Sequence, residues 1–306
     1  MTHLKRLTLV VVSFALALST GPLAQQPTLA VDRPPTGKKV LVLTHAALTK
    51  HASVAVAEQA LPEIARMGGF EVTIKSDGRE TTGRTSPEDL AKMDFSFLTP
   101  GYLNQFDALL LFTNGNLPIT QAQKQSITDF VRNGKAVIGV HCATVTLYDY
   151  PEFGEMMGAY YQRSIVSTDA NPKRFVVLKV EDPNHPATRV LGTSWPFVEE
   201  YYMFGRGVWN AANPKENVSG VGELPIPMAF SRDRVKVLLS IDTQRTDLRD
   251  LPHLTADGDY PQSWYREYGK GRSFYTSLGH RPDTWSDPVF AAHLIGGIRW
   301  ALGVEK

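Results

Sequence analysis

The sequence predicts an α/β fold built on a doubly wound, mostly parallel sheet with elaborated loops. Three observations lead there. Short runs rich in Val, Leu and Ile, suited to strands buried on both faces, recur through the first half of the chain. Helical patterns with recognisable start and stop residues separate them. Strand, helix, strand, helix in that rhythm means a parallel sheet with covering helices.

The elements follow in order. KKVLVLT (38–44) reads as the first buried strand. AEQALPEIARMGG is a helical pattern ending in glycines, with Pro62 expected to interrupt it near its middle. FEVTIKSD is the next strand, and SPEDL starts a helix with Ser86 as N-cap and Pro87 at the first helical position. DALLLFT (107–113) is a third buried strand, followed by the loop NGN. ITQAQKQSITDFVRNG is a helix closed by glycine, and KAVIGVHC is a fourth strand. Beyond residue 150 the texture changes: the strands RFVVLKVED, VKVLLSID and GRSFYTSLG are spaced by loops rich in Pro, Asn and aromatic residues. DPVFAAHLIGGIRWALG is a terminal amphipathic helix, with Phe290, Leu294, Ile298 and Leu302 on one side at spacing four. One domain over residues 38–304 accounts for all of this, with 31–37 as a linker.

Composition narrows the function classes. With 32 basic and 31 acidic side chains the formal charge is only +1, so nothing calls for nucleic acid as a partner. Lys5 and Arg6 precede the apolar run LTLVVVSFALAL (7–18), and small residues follow. That pattern describes a secretory signal, with residues 1–30 as leader and pro-linker and cleavage expected after Ala24 or Ala30. The expected location is periplasmic or secreted. The run falls short of the roughly 20 apolar residues a span requires, so no stable membrane span is expected after cleavage. The single cysteine, Cys142, rules out an internal disulfide.

In open parallel sheets, ligands gather beyond the carboxyl ends of the strands. His45 and His51 follow the first strand, Asn114 the third, His141 and Cys142 end the fourth, and His280 ends GRSFYTSLG. A histidine alone is more often a hydrogen-bonded structural residue; convergence at one sheet edge is what suggests a site. A class I amidotransferase would place its nucleophilic cysteine between glycines on a strained strand-to-helix turn, as Gly-x-Cys-x-Gly. Here Gly139, Val140, His141, Cys142 and Ala143 fill that stretch, so histidine takes the elbow and the thiol falls one residue late. No His-x-Glu pair follows to serve as base and orienter. Cys142 therefore reads as a packing residue.

Several segments carry a more specific resemblance: Lys50-His51 before a helix, FTNGN (112–116), TDFVRNGKAVIGVHCAT (128–144) and YDYPEFGEMMGAYY (148–161). NHPATRVLG (184–192), FVEEYYMF (197–204) and WYREYGKGRSFYTSLGHRPDTW (264–285) continue it. From about residue 38 onward the chain resembles the trehalose-utilisation (ThuA-like) family. That resemblance implies a flavodoxin-like, class I glutamine amidotransferase-like fold without the Cys-His-Glu triad. Three positions depart from the family pattern: Lys50-His51 stands where Arg-His is usual, Glu199-Glu200 where Asp-Glu is usual, and Cys142 after His141 where Ala or Ser is usual.

On this reading His51, His141, Glu200 and His280 are the candidate catalytic residues. Three imidazoles and a carboxylate suit acid/base chemistry near neutral pH. The same set suits a divalent metal such as Zn, with one position left for water or substrate. Asn114, Tyr148, Glu199, Tyr202, Trp264 and Arg281 are the candidate substrate-binding residues, since aromatic faces pack on sugars while polar groups bond the hydroxyls. A small carbohydrate is the expected ligand, and a homo-oligomer is compatible with the sequence. The resemblance implies disaccharide catabolism, including oxidised (3-keto) glycosides, through a lyase, hydrolase or isomerase step rather than glutamine amidotransfer. Glu199 and Glu200 do not suit a glycosidase pair, because adjacent carboxylates rarely flank one bond at ~5–9 Å. The competing reading is a non-catalytic carbohydrate-binding protein.

Overall fold

A computed structural model describes residues 33–166 and 174–306. The leader at 1–30 lies outside the described residues. In chain order the elements are β1 (Lys39–Leu43), β2 (Thr49–Lys50), α1 (Ala52–Gly68), β3 (Glu71–Lys75), β4 (Gly83–Arg84), α2 (Pro87–Lys92) and α3 (Pro100–Leu103). Next come β5 (Ala108–Leu111), α4 (Gln121–Arg132), β6 (Ala136–Val140), α5 (Pro151–Met157), β7 (Tyr161–Val166), β8 (Val176–Val180) and β9 (Ser194–Phe197). The chain closes with β10 (Tyr201–Phe204), β11 (Lys236–Ile241), β12 (Pro261–Tyr268), β13 (Gly271–Thr276) and α6 (Pro288–Ala301).

Among the described residues, nine strands form one sheet in the order β3-β1-β5-β6-β13-β12-β11-β8-β9. Pairing is parallel from β3 to β13 and antiparallel at every later step. Because the later steps alternate, β11 and β9 regain the common direction, and seven of nine strands point one way. The sheet is thus mixed and mostly parallel, as the α/β pattern predicts. Of the strands the sequence reading passed over, the antiparallel β12, PQSWYREY, is the longest. Its leading proline resembles a loop, yet proline at the first residue of a strand costs no ladder bond.

The central strands β1, β5 and β6 carry almost uninterrupted apolar runs because helices cover both their faces. Successive β13 residues show the two layers: Phe274 fills the space left at Gly297 of α6, and Tyr275 lies against Trp264 on the α5 side. Helix α1 packs beside α6 and buries Val54, Ala57, Leu61, Ile64 and Ala65 at helical spacing. Burying each larger aliphatic of that stripe stabilises by roughly 1.5–3 kcal/mol. Contrary to the sequence expectation, α1 runs straight through Pro62. Pro62 sits on the exposed face, where the carbonyl its ring orphans can reach solvent. Helix α6 buries the expected stripe and most of its other face too, wedged between the sheet, α1 and the Pro186–Ala187 backbone.

Candidate functional site

The site lies where the parallel strands end. His141 follows β6 with φ +49°, a left-handed conformation that costs a non-glycine residue roughly 1–2 kcal/mol. The elbow expected from the sequence is present, and an imidazole occupies it. Gly139 is required just before it, since a Cβ there would run into Met157 and the Tyr275 ring. On the β13 side Gly279, at φ +119°, turns the chain so that His280 faces His141.

Hydrogen bonds fix the His141 ring. Nδ1 lies 2.9 Å from the Ser277 carbonyl, which can only accept, so Nδ1 carries the proton and Nε2 the lone pair. Tyr202 donates its hydroxyl to that Nε2 at 2.8 Å. Gln262 in turn holds Tyr202 by its backbone, accepting from the amide at 3.1 Å and donating to the carbonyl at 2.8 Å. His280 Nδ1 stands 3.2 Å from His141 Nε2 and 3.1 Å from Glu200 Oε2. The other Glu200 oxygen accepts from Ser164 Oγ at 2.7 Å. His51 is the residue that caps α1, but its ring is not spent on the cap. That ring lies edge-on to both other imidazoles, with centroids 5.2 Å from His141 and 4.9 Å from His280.

The adjacent carboxylates have separate tasks. Glu199 is buried, and its Oε1 accepts the Gly279 and Arg281 amides at 2.9 and 3.2 Å and the Thr284 hydroxyl at 2.7 Å. Its Oε2 accepts the Glu200 amide at 2.7 Å, so Glu199 clamps the loop that carries His280. Only Glu200 turns toward the imidazoles.

Electrostatics follow from burial. Desolvation, reinforced by His280 and His51, holds His141 well below the usual imidazole range, so the ring is neutral. Burial alone would raise Glu200; the hydrogen bonds from His280 and Ser164 outweigh it and hold the carboxyl at about 2. Burial, then the neighbouring Glu200, pushes Tyr202 well above the ordinary phenol value, so it stays a donor. Burial pushes the Cys142 thiol up to about 12.

Two cavities meet at the cluster, with His51 bordering both. The outer one, about 580 Å³, is lined by Lys50, His51, Thr82, His280, Arg281 and Asp283 among others. The inner one, about 170 Å³, is lined by residues including Asn114, Cys142, Tyr161, Ser164, Glu200 and Tyr202.

The four residues expected to be catalytic are brought together, as is Tyr202. Of the remaining expected ligand contacts, Asn114 and Arg281 border the cavities, whereas Tyr148, Glu199 and Trp264 are buried. Tyr148 is buried with its hydroxyl on the Tyr161 carbonyl, and Trp264 is fully buried, its indole donating to the Met157 carbonyl at 2.8 Å. Asn114 borders the inner cavity but braces the loop before His51, accepting from the Leu48 and Thr49 amides at 2.9 and 3.1 Å. Arg281 lies on the outer rim, paired with Asp283 at 2.6 Å. Lys50 is buried against Asp77 at 2.6 Å. His45, the other histidine after β1, stacks on Phe95 away from the cluster. Sequence reasoning missed Ser164, Gln262 and Thr284, single hydroxyl and amide side chains with no local motif to mark them.

A family model described as "ThuA: Trehalose utilisation" matches residues 39–301. A search of the curated proteins found no match. Among solved structures, a ThuA-like protein from Bacteroides uniformis ATCC 8492 is 20% identical with a TM-score of 0.58, covering 90% of this chain and 94% of that one. A ThuA-like protein from Parabacteroides merdae ATCC 43184 is 17% identical with a TM-score of 0.54, covering 88% of this chain and 91% of that one. Identities this low speak to the shared fold.

Proposed function

The chain belongs to the ThuA (trehalose utilisation) family, and from that premise we propose that it is an exported protein of carbohydrate catabolism acting on oxidised disaccharides at the His51–His141–His280–Glu200 centre. One observation carries the reading: an ionised carboxylate, three imidazoles and an open cavity meet at the carboxyl edge of the sheet. A keto group on a sugar ring acidifies the neighbouring C–H. Glu200 takes that proton, and the electron pair forms a double bond toward the anomeric carbon as the glycosidic C–O bond breaks. The departing oxygen leaves with the electrons of that bond and takes up a proton. An N–H of His51 or His280 stabilises the negative charge that gathers on the keto oxygen. This route does not need two carboxylates across one bond, which Glu199 and Glu200 could not supply. The leader sequence supports export.

The test is incubation with a 3-keto-disaccharide and, in parallel, with the unoxidised sugar, followed by NMR of the products. The reading expects release of the second sugar from the oxidised substrate alone, lost in Glu200→Gln and His280→Ala. Saturable binding without turnover would assign the protein to carbohydrate binding instead. Equal cleavage of both sugars would reject the elimination route.

A further inference from the structure

We infer that His51, His141 and His280 together hold one divalent transition-metal ion of the zinc class. This deepens the proposed function by naming what the imidazoles present to a keto oxygen, and it rests on that reading only for the ion's use.

Distances come first. One ring nitrogen from each histidine lies within 4.8 Å of those of the other two. A tetrahedral zinc site with arms of ~2.0–2.1 Å has ligand-to-ligand edges of about 3.3 Å. His141 Nε2 and His280 Nδ1 already stand 3.2 Å apart, so an ion closes between them once the His280 proton moves from Nδ1, where it is donated to Glu200, to Nε2.

The tautomer points the same way. The Ser277 carbonyl accepts from the Nδ1–H of His141, which leaves the Nε2 lone pair on the cluster side, where binding the ion would displace the Tyr202 hydroxyl that it now accepts. A metal-ligating imidazole needs that outer hydrogen bond to fix both its ring and its protonation. The supports are rigid: His141 is set by its left-handed backbone, and Glu199 pins the backbone on either side of His280. Asn114 pins the backbone just before His51.

Donor chemistry selects the ion. Imidazole nitrogens suit Zn and its transition-series neighbours, whereas Mg and Ca require oxygen ligands. Three protein ligands leave a coordination position vacant for substrate, and the outer cavity opens on that side past His51 and His280. Glu200 Oε2, 3.1 Å from His280 and 3.5 Å from His141, supplies a neighbouring negative charge. When bound, the ion would polarise a carbonyl oxygen as a Lewis acid.

The experiment uses the full chain, stripped with a chelator and then dialysed against Zn²⁺ or Co²⁺ without sugar. The expected result is one equivalent of metal per chain, a raised thermal midpoint and a visible absorption band from the cobalt form. His51→Ala and His280→Ala should each weaken retention by about 100-fold or more while the far-UV spectrum is unchanged. His185→Ala, away from the cluster, should retain the ion. His141 is fully buried, so the partly exposed pair carries the test. A folded wild-type chain that keeps no stoichiometric Zn²⁺ or Co²⁺, or a His51→Ala/His280→Ala double variant that keeps it, would overturn the inference. Metal retention without keto-sugar turnover would count against the proposed function alone.

Discussion

His280 Nδ1 lies 3.2 Å from His141 Nε2, although 139 residues separate the two in sequence. Two adjacent exits of the sheet, after β6 and β13, produce that contact. Replacing His280 by Ala should therefore abolish keto-sugar turnover while the thermal midpoint moves little, because the side chain is 21% exposed. Equal turnover by a folded His280→Ala variant would remove this residue from the chemistry.

Histidines outside the cluster should behave in the opposite way. His293 is fully buried, bonded to the Ala187 carbonyl at 2.8 Å and to Thr276 Oγ1 at 3.1 Å. His293→Ala should cost about 2–4 kcal/mol of stability by cavity formation and lost hydrogen bonds, leaving turnover per folded molecule intact. Urea unfolding beside specific activity separates the two effects.

Stability should fall on acidification. Burial lowers His45, His185 and His293 from 6.5 to about 4 in the folded protein. The unfolded chain then binds protons that the native state refuses, so their contribution is complete above pH 6.5 and is lost as pH falls through 4. Each group contributes up to roughly 3 kcal/mol to that loss, at 1.36 kcal/mol per unit. Thermal midpoints across pH 7.5 to 4 measure it; His293→Gln should flatten the curve.

Cys142 should be inert. With its thiol pushed up to about 12 and its sulfur buried, a disulfide reagent should leave it unmodified in the native state and modify it in denaturant. Cys142→Ala should cost only ~1–2 kcal/mol and spare activity. Covalent trapping of a substrate on the sulfur would restore it as a nucleophile.

Glu199→Gln should loosen the His280 loop, since an amide cannot accept at both of its ends. A stability cost of about 1–3 kcal/mol is expected. Turnover should fall further than stability accounts for, with kcat reduced more than KM is raised. A variant unchanged in both would leave the clamp without a role.

The histidine cluster was legible in the sequence because strand exits are marked by local apolar runs, and the sheet rule then brings them to one edge. His45 obeys the same rule yet stacks on Phe95, because one residue of register decides which way a loop side chain turns. The aromatics were harder to read. Trp264 and Tyr148 look like sugar platforms, but Trp264 belongs to strand β12 and Tyr148 is buried against the start of β7, and nothing local distinguishes a buried ring from an exposed one. Glu199 and Glu200 are neighbours with opposite roles, which only the loop after β13 defines.

The sheet order also constrains the chain's history. Strand β13, close to the C-terminus, fills the slot between β6 and β12 near the middle of the sheet. Until it arrives, β6 is a naked apolar edge and the region from β12 to β9 has no strand joining it to the first half. Folding is therefore dominated by pairings between distant segments, which makes it slow and keeps the incomplete polypeptide prone to self-association. A chain truncated before Gly271 should aggregate rather than form a smaller domain. A chain still being synthesised would need a holding factor until its last few dozen residues emerge.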